Sequence, residues 1–220
     1  MLNEKYNELP EKVVLIPNGT DLNYFSPDYH PEIYLHEKYD LPDAAFIVTF
    51  LGRFSDEKNP KGFIEIARRI PDENIIFFMG GNGPQFTEIQ ELITTYNLNK
   101  RIISPGFIDS RDILSSTNIL LIPSILDGRP NIALEALAMG VPVIASDVGG
   151  LSSIIENNKN GFLCKIETIE EFVYKIKLLF NDRKKLAEMR TNARAHALLN
   201  FSEETMNNKY QECLSRILTA

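Results

Sequence analysis

The sequence has no tryptophan and only two cysteines and three histidines among its 220 residues. Cys164 and Cys213 stand far apart and belong to no CxxC or Cys/His cluster, which argues against a disulfide framework or zinc module and fits a reduced, cytoplasmic setting. His30, His36 and His196 are scattered and form no HExxH or similar spacing, so no metal is expected. Neither a GxSxG elbow nor a GxxxxGK[ST] loop is present, which weighs against a serine hydrolase and a P-loop enzyme. Basic charge is in short supply, with 23 Lys and Arg against 30 Asp and Glu. A chain with net charge −7 is a poor general polyanion binder, so no nucleic-acid partner is expected. Long apolar runs are missing too. The richest, IALEALAMGVPVIA, carries Glu135 and is broken by Gly140 and Pro142. The N-terminal MLNEKYNELPEK lacks the basic and apolar regions of a signal peptide.

What is present is 44% hydrophobic content, sufficient for one sizeable core. Short runs rich in β-branched residues or Phe recur as KVVLIP, AFIVTFLG, NIIFFMG, RIIS, NILLIPS, VPVIAS and GFLC. Several are apolar at consecutive positions, the pattern of parallel strands covered on both faces. Helical patterns alternate with them. PKGFIEIARRI sets Phe63, Ile64, Ala67 and Ile70 on one stripe behind Pro60, and PQFTEIQELITTYNL turns Phe86, Ile89, Leu92, Ile93 and Tyr96 inward, with Pro84 in its first turn. Shorter helices are expected at SRDILSST, NIALEALAM and GLSSIIEN, and longer ones at TIEEFVYKIKLLFN, RKKLAEMRTNARAHALL and residues 202 to 219. The alternation predicts an α/β fold with a doubly wound, Rossmann-like parallel sheet.

Ligands of such a sheet bind outside the carboxyl ends of the strands, so four strand-to-helix turns carry the chemistry. In FLGRFSDEKNPKGF, Gly52 precedes Arg53, and Lys58 follows five positions on. Two cations there suit a diphosphate, unless Asp56 and Glu57 neutralise them in a solvated loop. In MGGNGPQF, Gly80, Gly81 and Gly83 permit close backbone approach to a ligand or merely a tight turn. Phe86 stands where a dinucleotide fingerprint needs glycine or alanine, which weakens a nicotinamide reading. In PGFIDS, the backbone beside Phe107 and Ile108 either faces a flat base or simply turns into a helix capped by Asp109. In SILDGRPNIALEA, a turn of Asp127, Gly128, Arg129 and Pro130 leads into a helix that Asn131 can cap. The free amides near Asn131, Ile132 and Ala133 make an anion site. Asp127 and Glu135 border one pocket from two sides, or are a turn former and an ordinary helix residue.

Taken together these turns resemble the C-terminal, donor-binding domain of retaining glycosyltransferases of the GT-B fold, specifically family 4 of the glycosyltransferases. The resemblance spans almost the whole chain: IPNGTDLNYFSP looks like the interdomain hinge, GRFSDEKNPKGF like the Arg/Lys phosphate motif and GGNGP like the glycine loop. SILDGRPNIALEALAMGVPVIASDVGG looks like the signature, and NGFLCK like the segment after it. The resemblance implies transfer of a sugar from a UDP- or GDP-sugar, a substrate and not a cofactor, with retention and without a metal. It implies diphosphate binding by Arg53 and Lys58, wrapping of the distal phosphate and sugar by the segment from Gly128 to Ala133, and ribose contact by Glu135. Asp127 falls where the first acid of the paired-glutamate motif faces the sugar, one methylene shorter than the commoner glutamate.

By the same likeness, residues 1–45 are a hinge segment and first strand, 46–199 the nucleotide-sugar domain and 200–220 a crossover helix. An N-terminal acceptor domain lies outside the chain, and any membrane association is peripheral and belongs to the full-length enzyme. Surface polysaccharide synthesis is the implied role. A sugar-nucleotide epimerase, a phosphorylase of GT-B fold and a non-catalytic nucleotide-sugar module are the competing readings, because one fold hosts many activities.

Overall fold

A computed structural model describes residues 13–30 and 34–219. The segment read as lacking a signal peptide, residues 1–12, lies outside the described residues. After a short helix, α1 (Tyr34–Lys38), strands and helices alternate: β1 (Phe46–Leu51), α2 (Pro60–Arg68), β2 (Ile75–Gly80), α3 (Phe86–Thr95), β3 (Ile102–Gly106), α4 (Ser110–Ser116), β4 (Ile119–Ile122), α5 (Asn131–Ala138), β5 (Val143–Ser146) and β6 (Gly161–Cys164). Three helices follow, α6 (Ile169–Asn181), α7 (Arg183–Asn200) and α8 (Glu203–Thr219). The six strands form one sheet in the order β3-β2-β1-β4-β5-β6, and every pairing is parallel. The order reverses between β1 and β4, and a ligand crevice opens at such a switch point.

The consecutive apolar residues of the strands are explained by hydrophobic clusters on both faces of the sheet. Phe46, Val48 and Phe50 of β1 and Ile75, Phe77 and Met79 of β2 share one face with Phe63, Ile89, Ile93, Phe172 and Ile176, while Ile47 and Phe78 enter the opposite face with Ile113 and Leu35. Alternate residues of a strand point to opposite faces, so a strand covered twice must be apolar throughout. Phe63 ties α2 to the sheet, its ring 5.7 Å from those of both Phe50 and Phe77. On the other side, Leu120, Ile122, Val143 and Ala145 meet the small and aliphatic residues of α5 and α7.

Four expectations change. Among the described residues, 13–17 carry no strand; Val13, Val14 and Leu15 are exposed, since β propensity without a partner strand makes no sheet. GLSSIIEN yields one 3-10 turn, Leu151–Ser153, not a helix. Its continuation is diverted by buried Asn160, whose side chain binds the Glu156 amide at 2.9 Å and the Ile154 carbonyl at 3.4 Å. Tyr96 lies outside, with the Arg68 guanidinium 5.1 Å from its ring centre. Pro84 sits in the turn before α3, whose first residue is Phe86.

The segment from Leu22 to His30 is strapped to the domain by two arginines. The Arg194 guanidinium donates to the carbonyls of Phe25 (3.0 Å), Ala138 (2.8 Å) and Leu22 (3.1 Å). Arg111 lies between the rings of Tyr29 (3.5 Å) and Tyr24 (4.1 Å), and the Tyr29 hydroxyl donates to Asp112. Arg194→Met keeps most of the stem and removes the donors. It is expected to cost about 2–4 kcal/mol in urea unfolding, the scale of charged hydrogen bonds lost with acceptors left behind; an unchanged midpoint contradicts the strap.

Candidate functional site

The loops that follow β1 and β4 leave opposite sides of the switch point and are stitched together. The Glu57 carbonyl accepts from the Ile125 amide at 2.8 Å and the Leu126 amide at 3.4 Å. Asn59, at φ 53°, caps α2 by accepting from the Gly62 amide and donates to the Pro123 carbonyl at 3.0 Å. Between these anchors Lys58 Nζ meets Asp127 Oδ2 at 2.7 Å, the two side chains 29% and 6% exposed. The buried Ser124 hydroxyl donates to the same oxygen at 3.0 Å. Asp56 takes the Gln85 amide instead, and among the described residues neither Asp56 nor Glu57 forms an ion pair with Arg53 or Lys58. Hydrogen bonds from its own backbone and from Ser55 lower the Glu57 carboxyl, and the charges of Arg53 and Lys58 lower it further, so Glu57 offsets part of the loop's positive charge without a direct ion pair.

Glycines bring neighbouring loops onto this frame. Gly81, at φ 139°, lies so close to the β1 loop that a Cβ would fall 1.9 Å from the Gly52 carbonyl oxygen, and one on Gly83 would fall 2.5 Å from that of Phe54. The glycine loop thus makes room first for protein backbone, bonded from the Phe54 amide to the Asn82 carbonyl at 2.9 Å. Gly149, at φ 56°, does the same beneath the β4 loop, where a Cβ would lie 1.7 Å from the Asp127 carbonyl oxygen.

A cavity of about 380 Å³ opens beside this frame, lined by Leu51, Gly52, Arg53, Gly80, Gly81, Asn82, Phe107, Ile108, Ser110 and Ile132. Arg53 is exposed at its edge, and Phe107 is 88% exposed. The PGFIDS turn supplies both an apolar wall and a helix cap, for Asp109 accepts from the Arg111 and Asp112 amides. Lys58, Asp127 and Glu135 are not among the cavity's lining residues, so the two acids do not share it. Glu135 is half-buried outside it and is coupled to it by the lining residue Ser110, whose hydroxyl opposes the rise that burial gives the Glu135 carboxyl.

The start of α5 differs from expectation. Pro130 occupies the cap position, Asn131 is the first helical residue, and its side-chain oxygen accepts from Asn18 at 3.1 Å. The Ala133 amide is taken by the Pro130 carbonyl at 3.1 Å, and proline has no amide proton; the first-turn amides of Asn131 and Ile132 have no acceptor among the described residues and are left for an anion. Gly128 is exposed. Arg129 turns away from the cavity, donating to Ser153 at 2.9 Å with its guanidinium 5.1 Å from the Phe201 ring centre. Among the described residues no cluster of three or more His, Cys, Asp or Glu is arranged to hold a metal, and no helix is long and apolar enough to cross a membrane.

Residues 33–196 match the family described as Glycosyl transferases group 1. The chain belongs to this family. An Escherichia coli relative, UDP-Gal:alpha-D-GlcNAc-diphosphoundecaprenol alpha-1,3-galactosyltransferase, is 31% identical over 180 residues, covering 79% of this chain and 46% of that protein. Anabaena HepE, solved in complex with UDP and glucose, superimposes with a TM-score of 0.85 at 25% identity over 93% of this chain and 57% of that one. The C-terminal domain of a glycosyl transferase group 1 family protein (LpcC) from Francisella tularensis matches in fold, with a TM-score of 0.75 at 24% identity over 84% of this chain and 99% of that one. The chain spans about half the length of the curated relatives it matches. Its sheet is the C-terminal Rossmann-like half of the GT-B fold that this glycosyltransferase family carries.

Sequence reasoning missed Ser124, Asn59, Ser110 and Asn82. The Gly149-Gly150 pair was the one available signal that a backbone must pass beneath Asp127. Burial raises the Glu135 carboxyl above its ordinary value; the Ser110 hydrogen bond holds part of that rise down and the Asp109 charge adds to it. The folded state thus keeps this proton to higher pH than the unfolded chain. The group's stabilising share is complete below the ordinary carboxylate range and is lost as pH rises through the raised value. Glu135→Gln is accordingly expected to melt above the parent at neutral pH, with the gap closing near pH ~4. Equal melting temperatures throughout a pH series would contradict this.

Proposed function

We propose that this chain is the donor-binding domain of a retaining glycosyltransferase that uses a nucleotide-diphosphate sugar, UDP-sugars first among them. The observation that carries the reading is the meeting, at one switch point, of Arg53, the Lys58–Asp127 pair and the free first-turn amides of α5 beside a cavity with an apolar wall. The family membership and the neighbour solved with UDP support the same choice.

In this reading the base lies against Phe107 and Ile108, and Glu135, braced by Ser110, accepts from the ribose hydroxyls. Arg53 grips the diphosphate through its planar fork. Lys58 keeps one proton on Asp127 and offers its others to phosphate. Cleavage of the sugar–diphosphate bond builds positive character on the anomeric carbon and negative charge on the leaving group. Arg53, Lys58 and the amides of Asn131 and Ile132 are the preorganised groups that stabilise that leaving charge. Asp127 faces the sugar and holds its hydroxyls or the oxocarbenium-like state, as carboxylates of glycosidases do. The acceptor belongs to a second, N-terminal domain of the GT-B pair, so these residues alone bind donor and transfer nothing.

Calorimetry tests the assignment. Arg53→Ala is expected to weaken UDP by roughly 10–100-fold, the scale of charge-assisted bonds. Glu135→Ala is expected to weaken UDP by the same factor as the parent loses with 2′-deoxy-UDP. Parent-like binding by both variants, or sugar transfer by the chain alone given donor and acceptor, would overturn the proposal.

A further inference from the structure

The oxygen of Asp127 that faces the protein is doubly committed. Lys58 Nζ at 2.7 Å and Ser124 Oγ at 3.0 Å both donate to Oδ2. Oδ1 has no hydrogen-bond partner among the described residues and is not among the fully enclosed unpaired atoms, so it shares in the 6% of the side chain that solvent reaches. An ionised carboxylate accepts only, and the free oxygen therefore suits a hydroxyl donor.

We infer that Ser124 is a positioning residue for the sugar half of the donor: with Lys58 it ties down Oδ2 and leaves Oδ1 oriented for a sugar hydroxyl. The inference rests on the proposed function. Two features of the site support it. The outer torsion of an aspartate is broad, so a single partner leaves the carboxylate plane free to turn, whereas two donors on one oxygen from different directions fix it. Both donors come from rigid backbone. Ser124 is 1% exposed and directly follows Pro123, whose carbonyl is held by Asn59, and Lys58 lies between Glu57 and Asn59, the two stitched residues.

A hydroxyl that merely satisfied a buried carboxylate would act on the whole loop, and its loss would weaken every ligand alike. A positioning hydroxyl acts through Asp127 on the sugar alone. The full chain is titrated with UDP and with UDP-glucose, UDP-galactose and UDP-N-acetylglucosamine, as parent, Ser124→Ala, Asp127→Asn and the double variant. Expected are a UDP affinity unchanged by Ser124→Ala, a loss of roughly tenfold for the sugar nucleotide the parent binds best, and no further loss when Ser124→Ala is added to Asp127→Asn. If Ser124→Ala fails to fold, Ser124→Cys, of similar shape with a weak donor, is read in the same way. Equal weakening of UDP and sugar nucleotide, no weakening of either, or additive losses in the double variant would overturn the inference while leaving the donor-site reading in place. A parent that binds neither UDP nor any of the sugar nucleotides removes both.

Discussion

The carbonyl of Glu57 holds the site together. In a doubly wound sheet the crossovers on either side of the switch point run to opposite faces, and their loops separate as they leave the strands. Two amides from the β4 loop on one carbonyl of the β1 loop, with Asn59 reaching the Pro123 carbonyl, close that gap by main-chain geometry. Lys58 and Asp127 then have little choice but to meet. Their ion pair is a product of the stitch as much as a cause of it. One partner is nearly buried and the other partly solvated, so the pair fixes arrangement more than it adds net stability.

The glycines act at the same level. A cluster such as GGNGP is easily read as ligand space, yet here Gly81 and Gly83 receive the backbone of the Arg53 loop, as Gly149 receives that of Asp127. Four loops become one block in which few side chains are needed for support. The chemical groups are thereby left with spare valence: the amides of Asn131 and Ile132, the remaining protons of Lys58 and one oxygen of Asp127. A preorganised site of this kind pays little reorganisation when charge appears in it.

Much of this was legible in the sequence, because a strand covered on both faces must be apolar at every position and a period of 3.6 marks its crossovers. That logic found β1 to β6 and the stripe of α2, and the switch-point rule then directed attention to the turns that hold Arg53, Phe107 and Asp127. It failed where long-range partners decide. Nothing local tells that Lys58 will find Asp127, 69 positions on, or that Asn131 will meet Asn18 instead of capping its own helix. Val13 to Leu15 have strand propensity and no strand beside them, and Asn160 stops a helix from beyond its end. Glu135 is an unremarkable helix former until its burial is known.

The strap held by Arg194 has a consequence for the order of events during synthesis. The Leu22 carbonyl is made 172 positions before the guanidinium that binds it. At the pace of translation the strap waits on the order of ten to thirty seconds for its donor. Through that interval the first part of the chain has emerged with its clasp unmade, while the local contacts of β1, α2 and β2 are already available. Closure of the domain is thus timed by its last helices, and a nascent chain stalled short of α7 presents the sheet without its fastening.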